Sequence, residues 1–105
     1  MLQVAEVRTI AADDLWLSGA HGHDVVGFHF TWVRDVAGVH AALPAIEDAL
    51  LPLGGRPHWG KCFLAGASRL RSLYPRFDDF RELALRADPG GKLRNAFLTR
   101  CLDLS

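Results

Sequence analysis

The chain has 105 residues, half of them hydrophobic and 23% charged, with twelve basic side chains against twelve acidic ones. That is one domain's worth of chain, able to bury roughly two-thirds of the surface it exposes when unfolded. It is too apolar and too near neutrality for intrinsic disorder. No apolar run reaches the roughly 20 residues of a membrane helix before Asp, Arg, His or Gly interrupts it. The N-terminus, with Glu6 and Arg8 among its first ten residues, lacks the apolar core of a signal peptide. A soluble cytoplasmic protein without a membrane span is expected.

Cys62 and Cys101 are the only cysteines, and without CxxC spacing they read as two reduced thiols. Residues 1–55 carry seven acids against Arg8 and Arg34, whereas residues 56–105 carry ten bases against five acids. The two halves are therefore expected to attract each other. The C-terminal arginines alternate with acids along helical stretches, the pattern of a solvated face rather than a nucleic-acid footprint. No nucleic-acid partner is expected.

Residues 2–10 alternate as a strand does, with Leu2, Val4, Glu6, Arg8 and Ile10 on one side and Gln3, Ala5, Val7 and Thr9 on the other. Residues 11–24 are rich in turn formers, with a short extended piece expected at 15–17. Residues 25–33 form the clearest element, placing Val26, Phe28, Phe30 and Trp32 opposite Val25, Gly27, His29, Thr31 and Val33. After Asp35, an N-cap, apolar residues recur at Val36, Val39, Leu43, Ile46 and Leu50. That helix is expected to cover the aromatic strand face and to be kinked or split by Pro44. Pro52 and Gly54-Gly55 close it.

Residues 56–64 read as a third extended segment, broken at Gly60. Short helices follow over 67–73 and from Pro75 to about Ala87, the second with Phe77, Phe80, Leu83 and Leu85 or Ala84 inward. Asp88-Pro89-Gly90-Gly91 is a stop and turn. Leu93, Phe97, Leu98 and Leu102 are expected to pack back onto the sheet. The fold class is α+β, a small antiparallel sheet with helices packed on one face. Its open sheet edges and immediate start on a strand give it the look of part of a larger domain.

Period two sets Glu6 beside Arg8 on one strand face and His29 beside Thr31 on another. If the strands pair with those faces together, an anion, a cation, an imidazole and a hydroxyl converge, a lining suited to a hydroxyl-rich ligand. Taken singly, Glu-x-Arg is an ordinary surface ion pair and a strand histidine an ordinary rim residue. Pro57-His58-Trp59-Gly60-Lys61 is the second candidate. Lys61 is one of only two lysines beside ten arginines, a skew ascribed to codon composition. His21-Gly22-His23-Asp24 has metal-ligand character but no partner cluster, so no metal site is expected. There is no dinucleotide-binding glycine fingerprint, and Ser18, Ser68, Ser72 and Ser105 lack a nucleophile-elbow context.

Several stretches together resemble a known family. They are Glu6-Val7-Arg8-Thr9, Ala11-Ala12-Asp13-Asp14-Leu15-Trp16-Leu17-Ser18, His29-Phe30-Thr31-Trp32, Arg56-Pro57-His58-Trp59-Gly60-Lys61, Leu73-Tyr74-Pro75-Arg76 with Asp79-Phe80, and Asp88-Pro89 followed by Gly91-Lys92 and Asn95-Ala96-Phe97. The chain is similar along nearly its whole length to the C-terminal, substrate-domain segment of FAD-dependent alditol (xylitol) oxidases. These are relatives of the sugar-1,4-lactone oxidases in the vanillyl-alcohol-oxidase flavoprotein superfamily.

The resemblance implies a polyol held above a flavin by Glu6, Arg8, His29, Thr31 and Lys61. Arg8 and Lys61 would be catalytic, orienting the reacting primary hydroxyl near the flavin N5, and the other three would bind hydroxyls further along. His58 and Lys61 would face the flavin ring. The implied reaction passes electrons to dioxygen, giving aldose and hydrogen peroxide. The family's FAD-binding domain, with its pyrophosphate loop, is not among these 105 residues. The chain is therefore expected to be inactive alone, either complemented by a separate FAD-binding chain or self-associating through open sheet edges. The alternatives are the corresponding segment of an arabinono- or gulono-1,4-lactone oxidase, and a non-catalytic remnant or interaction module.

Overall fold

A computed structural model describes residues 2–104; Ser105, one of the serines set aside above, lies outside them. The alternating segments form β1 (Leu2–Ile10) and β2 (Val25–Trp32), paired antiparallel. Glu6 stands opposite His29, Arg8 opposite Gly27, Val4 opposite Thr31 and Val7 opposite Phe28. Directly opposed side chains share a face. Glu6, Arg8, His29 and Thr31 therefore lie on one side of the ribbon, and Val7, Val26, Phe28 and Phe30 on the other. A register shift between Leu2 and Val4 sets Leu2 opposite Trp32, moving it off the polar face where simple alternation put it.

The 11–24 connection contains no extended piece at 15–17. Trp16 and Leu17 lie in a turn. The Asp13 carboxylate accepts from the Leu15 N–H at 3.0 Å and the Ser18 hydroxyl at 2.5 Å. An Asp that satisfies nearby donors in this way competes with extended pairing.

Helix α1 (Val36–Leu50) is capped by the Asp35 carboxylate, which accepts from the Gly38 N–H at 3.0 Å. Pro44 sits inside it, yet the helix runs unsplit. Pro44 is exposed while its neighbour Leu43 is buried. The helix ends in a 3-10 turn at Leu51–Leu53 and in Gly54, whose φ of +82° is a left-handed value. The Gly55 N–H then closes onto the Leu50 carbonyl, where an added Cβ would stand 2.8 Å from that oxygen. By length and composition Val36–Leu53 is apolar enough to cross a membrane, which its interruptions had not led us to expect. It nevertheless contains Asp48 and also Glu47, whose carboxylate accepts from the Leu64 N–H.

The third strand is absent among the described residues, and the sheet has two. Several backbone groups of the 56–66 segment are bonded to side chains instead. Tyr74 donates to the Pro57 carbonyl, and Arg100 donates to those of Leu64 and Ala65. These acceptors are engaged without a ladder.

Helices α2 (Ala67–Leu73), α3 (Phe77–Ala87) and α4 (Ala96–Leu102) complete the fold. The main core belongs to this half: Phe63, Leu70, Tyr74, Phe77, Cys101 and Leu102 are buried together. α4 packs on α2 rather than on the sheet, and Leu83 is exposed while Phe80, Ala84 and Leu85 flank the core. The cover expected from α1 over the aromatic strand face is not formed among the described residues: α1 is not packed on the ribbon, Val26 and Phe28 are each about half exposed, and Phe30 and Trp32 lie against each other. The class remains α+β.

Arginine has a structural use here beyond codon composition. Arg56, Arg81, Arg94 and Arg100 all donate to backbone carbonyls, Arg56 to those of Leu73 and His21 and Arg81 to those of Leu102 and Asp103. A forked guanidinium can span several acceptors, which an ammonium does less well. Among the described residues the ion pairs are Glu6–Arg8, Arg71–Asp78 and Arg76–Asp79, each within one half of the chain. The halves are joined by Arg56, Trp59 and Glu47 reaching backbone groups, not by the attraction expected from their net charges.

Candidate functional site

The polar face of the ribbon brings four of the candidate residues together. Arg8 Nη2 lies 2.8 Å and Nε 3.1 Å from Glu6 Oε2, so the guanidinium forks onto a single carboxylate oxygen. His29 stands across from Glu6, and Thr31 follows two residues along. Arg8 has no side chain opposite it, since its partner is Gly27, and the Ile10 side chain fills that space. The Arg8 side chain is 74% exposed and that of Glu6 44%. At that exposure the pair contributes less than about 1 kcal/mol to stability. It is therefore free to exchange its partners for a ligand's hydroxyls, each of which both donates and accepts.

Lys61 and His58 occupy a separate turn. The Lys61 N–H donates to the His58 carbonyl at 3.0 Å, and the Gly60 N–H donates to His58 Nδ1 at 3.0 Å. The turn stands on a rigid base. The Trp59 indole donates to the Leu17 carbonyl at 2.9 Å, and the Tyr74 hydroxyl to the Pro57 carbonyl at 2.6 Å. The Trp59 and Tyr74 rings lie 5.2 Å apart, with the Arg56 guanidinium over Tyr74. Burial pushes the Tyr74 phenol up to about 12, with Arg56 acting in the opposite direction.

Both Lys61 and His58 are exposed. Among the described residues no hydrogen bond or ion pair links either of them to the four strand residues. The supporting roles of Arg56, Trp59 and Tyr74 went unread in the sequence, although all three lie inside the motifs quoted above. Their partners are backbone carbonyls, which carry no sequence label.

His21-Gly22-His23-Asp24 is used structurally. His21 Nδ1 donates to the Leu15 carbonyl at 2.8 Å, and Asp24 accepts from the Ala12 N–H at 2.9 Å. Among the described residues no three His, Cys, Asp or Glu side chains are grouped to hold a metal. A depression of about 410 Å³ at the ribbon's end, lined by Thr9, Ile10, Asp24 and Val26, includes none of Glu6, Arg8, His29, Thr31, His58 and Lys61.

The residues present do not build a site for a whole FAD. A helix start can hold a pyrophosphate on its free backbone N–H groups, but the first turn of α1 is occupied by the Asp35 carboxylate and that of α3 carries Asp78 and Asp79, which repel an anion. α2 and α4 are each only seven residues long. His58 and Lys61 can donate to ring oxygen or nitrogen acceptors.

The match found for the sequence as a whole takes in both the polar-faced ribbon and the braced His-Trp-Gly-Lys turn. The model of the D-arabinono-1,4-lactone oxidase family covers residues 4–101, and the chain belongs to that family. It is similar to an alditol oxidase of a Streptomyces species, 50% identical over 103 residues, which is 98% of this chain and 25% of that protein. It is 36% identical over 99 residues to an L-gulono-1,4-lactone dehydrogenase of Mycobacterium tuberculosis, covering 92% of this chain and 22% of that protein. With the L-gulonolactone oxidase of Bos taurus the identity is 31% over 99 residues, 90% of this chain and 22% of that protein. The chain thus spans about a quarter of the length of these curated relatives.

Proposed function

We propose that this chain supplies the substrate-side wall of an oxidoreductase that oxidises a hydroxyl carbon of a polyol, with FAD held outside these residues and dioxygen as the final electron acceptor. Glu6, Arg8, His29 and Thr31 bind hydroxyls along one side of the substrate. Arg8 and Lys61 face the reacting oxygen. Taking a hydroxyl carbon to a carbonyl removes the hydroxyl proton, and negative charge develops on oxygen. Cations fixed nearby stabilise that charge more in the transition state than in the ground state. The observation that carries this reading is the β1–β2 register, which sets Glu6 opposite His29 and keeps Arg8 and Thr31 on the same face. The 50% identity to the alditol oxidase supports a polyol as substrate.

The test is a chimera in which this chain replaces the matching quarter of the Streptomyces alditol oxidase. Peroxide release with xylitol as substrate is the expected result. Release with gulono-1,4-lactone alone would favour a second reading, supported by the family model and by the two lactone-acting relatives. A flavin-loaded chimera inert towards both would leave the chain as a non-catalytic module.

A further inference from the structure

The hydrogen bond inside the His58–Lys61 turn specifies more than a shape. The Gly60 N–H points at His58 Nδ1 from 3.0 Å, and a backbone N–H can only donate. The nitrogen receiving it must therefore hold a lone pair, which leaves the ring proton on Nε2. Gly60 fits the same arrangement independently. A Cβ there would lie 3.2 Å from His58 Cε1 and 3.4 Å from Nδ1, so glycine keeps room for the imidazole to sit against the backbone. The Lys61 N–H closes the same turn on the His58 carbonyl at 3.0 Å. His58 thus engages the turn twice, through its ring and through its carbonyl, immediately before Lys61.

The structure assigns His58 as a neutral, Nε2-protonated imidazole that positions Lys61, leaving the turn's outer rim with two donors, an imidazole N–H and an ammonium, matched to an electron-rich oxygen. Protonating the ring places an N–H on Nδ1, facing the Gly60 N–H donor, and the ring's hold on the turn is lost. The charged or titratable groups on the segments touching this turn are Arg56, Lys61 and Cys62 beside it along the chain, Tyr74 beneath it, and Asp13, Asp14, His21, His23 and Asp24 on the 11–24 loop that accepts the Trp59 indole N–H. Among the described residues none of them hydrogen-bonds or ion-pairs with the His58 ring. What Lys61 is positioned for rests on the polyol reading above. The tautomer and the turn do not, and they are measured without substrate.

The experiment is nitrogen-15 NMR on the full chain. The expected spectrum shows the Nε2–H tautomer at neutral pH. Gly60 amide protection, corrected for intrinsic exchange, should fall about tenfold as His58 is protonated, the equivalent of one ordinary hydrogen bond. His58→Ala should lose that protection at every pH and raise backbone mobility at Lys61. His58→Asn should keep both near wild type and independent of pH, because its side-chain oxygen can accept from the amide two residues on. An Nδ1–H tautomer, or a folded His58→Ala chain that keeps Gly60 protected, overturns the assignment. If His58→Ala fails to fold, the wild-type pH series and the asparagine variant still decide. An inactive chimera leaves these outcomes unchanged.

Discussion

Tyr74 is the chain's single tyrosine, so phenolate absorbance reads this side chain alone. Its ordinary value is 10, and burial raises it to about 12 in the folded protein. The unfolded chain therefore loses this proton first, and folding stability falls as pH rises from about 10 towards about 12. Two units correspond to about 2–3 kcal/mol. Tyr74→Phe keeps the ring in the core but removes its hydrogen bond to Pro57, with an expected loss of about 1–2 kcal/mol at neutral pH. The variant should also flatten the alkaline decline. Denaturant titrations at neutral and alkaline pH check both, and an unchanged alkaline slope would exclude Tyr74 as its source.

Lys61 and Thr31 separate two kinds of contribution at the same scale. In the chimera, Lys61→Met should lower kcat about a hundredfold, because a preorganised cation at the developing charge is worth on the order of 3 kcal/mol. Thr31→Ala should instead raise KM about fivefold, the loss of about 1 kcal/mol of binding shared by substrate and transition state. Steady-state kinetics with xylitol separates them. A Lys61→Met chimera within about threefold of the parent kcat would remove Lys61 from the reacting oxygen.

Among the elements, α1 carries opposing local effects. Asp35 satisfies a first-turn N–H and stabilises the helix, whereas Pro44 removes one main-chain hydrogen bond from its interior. Asp35→Ala should destabilise by about 1 kcal/mol. Pro44→Ala should stabilise, by up to about 3 kcal/mol, since the position is exposed and alanine restores the missing donor. Thermal melts of the two variants should shift in opposite directions. A lower melting temperature for Pro44→Ala would mean that the proline ring holds a contact outweighing its cost to the helix.

Across the whole molecule, burial is unequal. Leu70, Tyr74, Phe77 and Cys101 are almost wholly inaccessible, while every residue of β1 is exposed. A two-stranded ribbon has little independent stability. Its amides should exchange well before those of α2 and α4, through openings that leave the helical core intact. The same ribbon has unpaired edges and the apolar side chains Val7, Val26 and Phe28 in water, so association that grows with concentration is expected. Hydrogen exchange read by mass spectrometry checks the first, and sedimentation across a concentration series the second. Equal protection of ribbon and core would show that the ribbon is held by more than its own ladder.

The sequence by itself determined the features that depend on near neighbours along the chain. Period-two alternation in residues 2–10 and 25–33 put Glu6 beside Arg8 and His29 beside Thr31, because side-chain direction in a strand repeats every two residues, while the register of the pairing brought the two pairs to one face. Asp35 and the Gly54-Gly55 pair marked the ends of α1 for equally local reasons, a side-chain acceptor at its start and a left-handed closure at its end. Only the tertiary structure decided that residues 56–66 would not become a strand, and that the core would gather around Tyr74 and Leu70 rather than beneath the sheet. It also decided that the His58–Lys61 turn would stand on Trp59 and Tyr74. Those outcomes rest on side chains finding backbone carbonyls far away in sequence. Every residue carries the same carbonyl, so no pattern of residue types can say which one will be found.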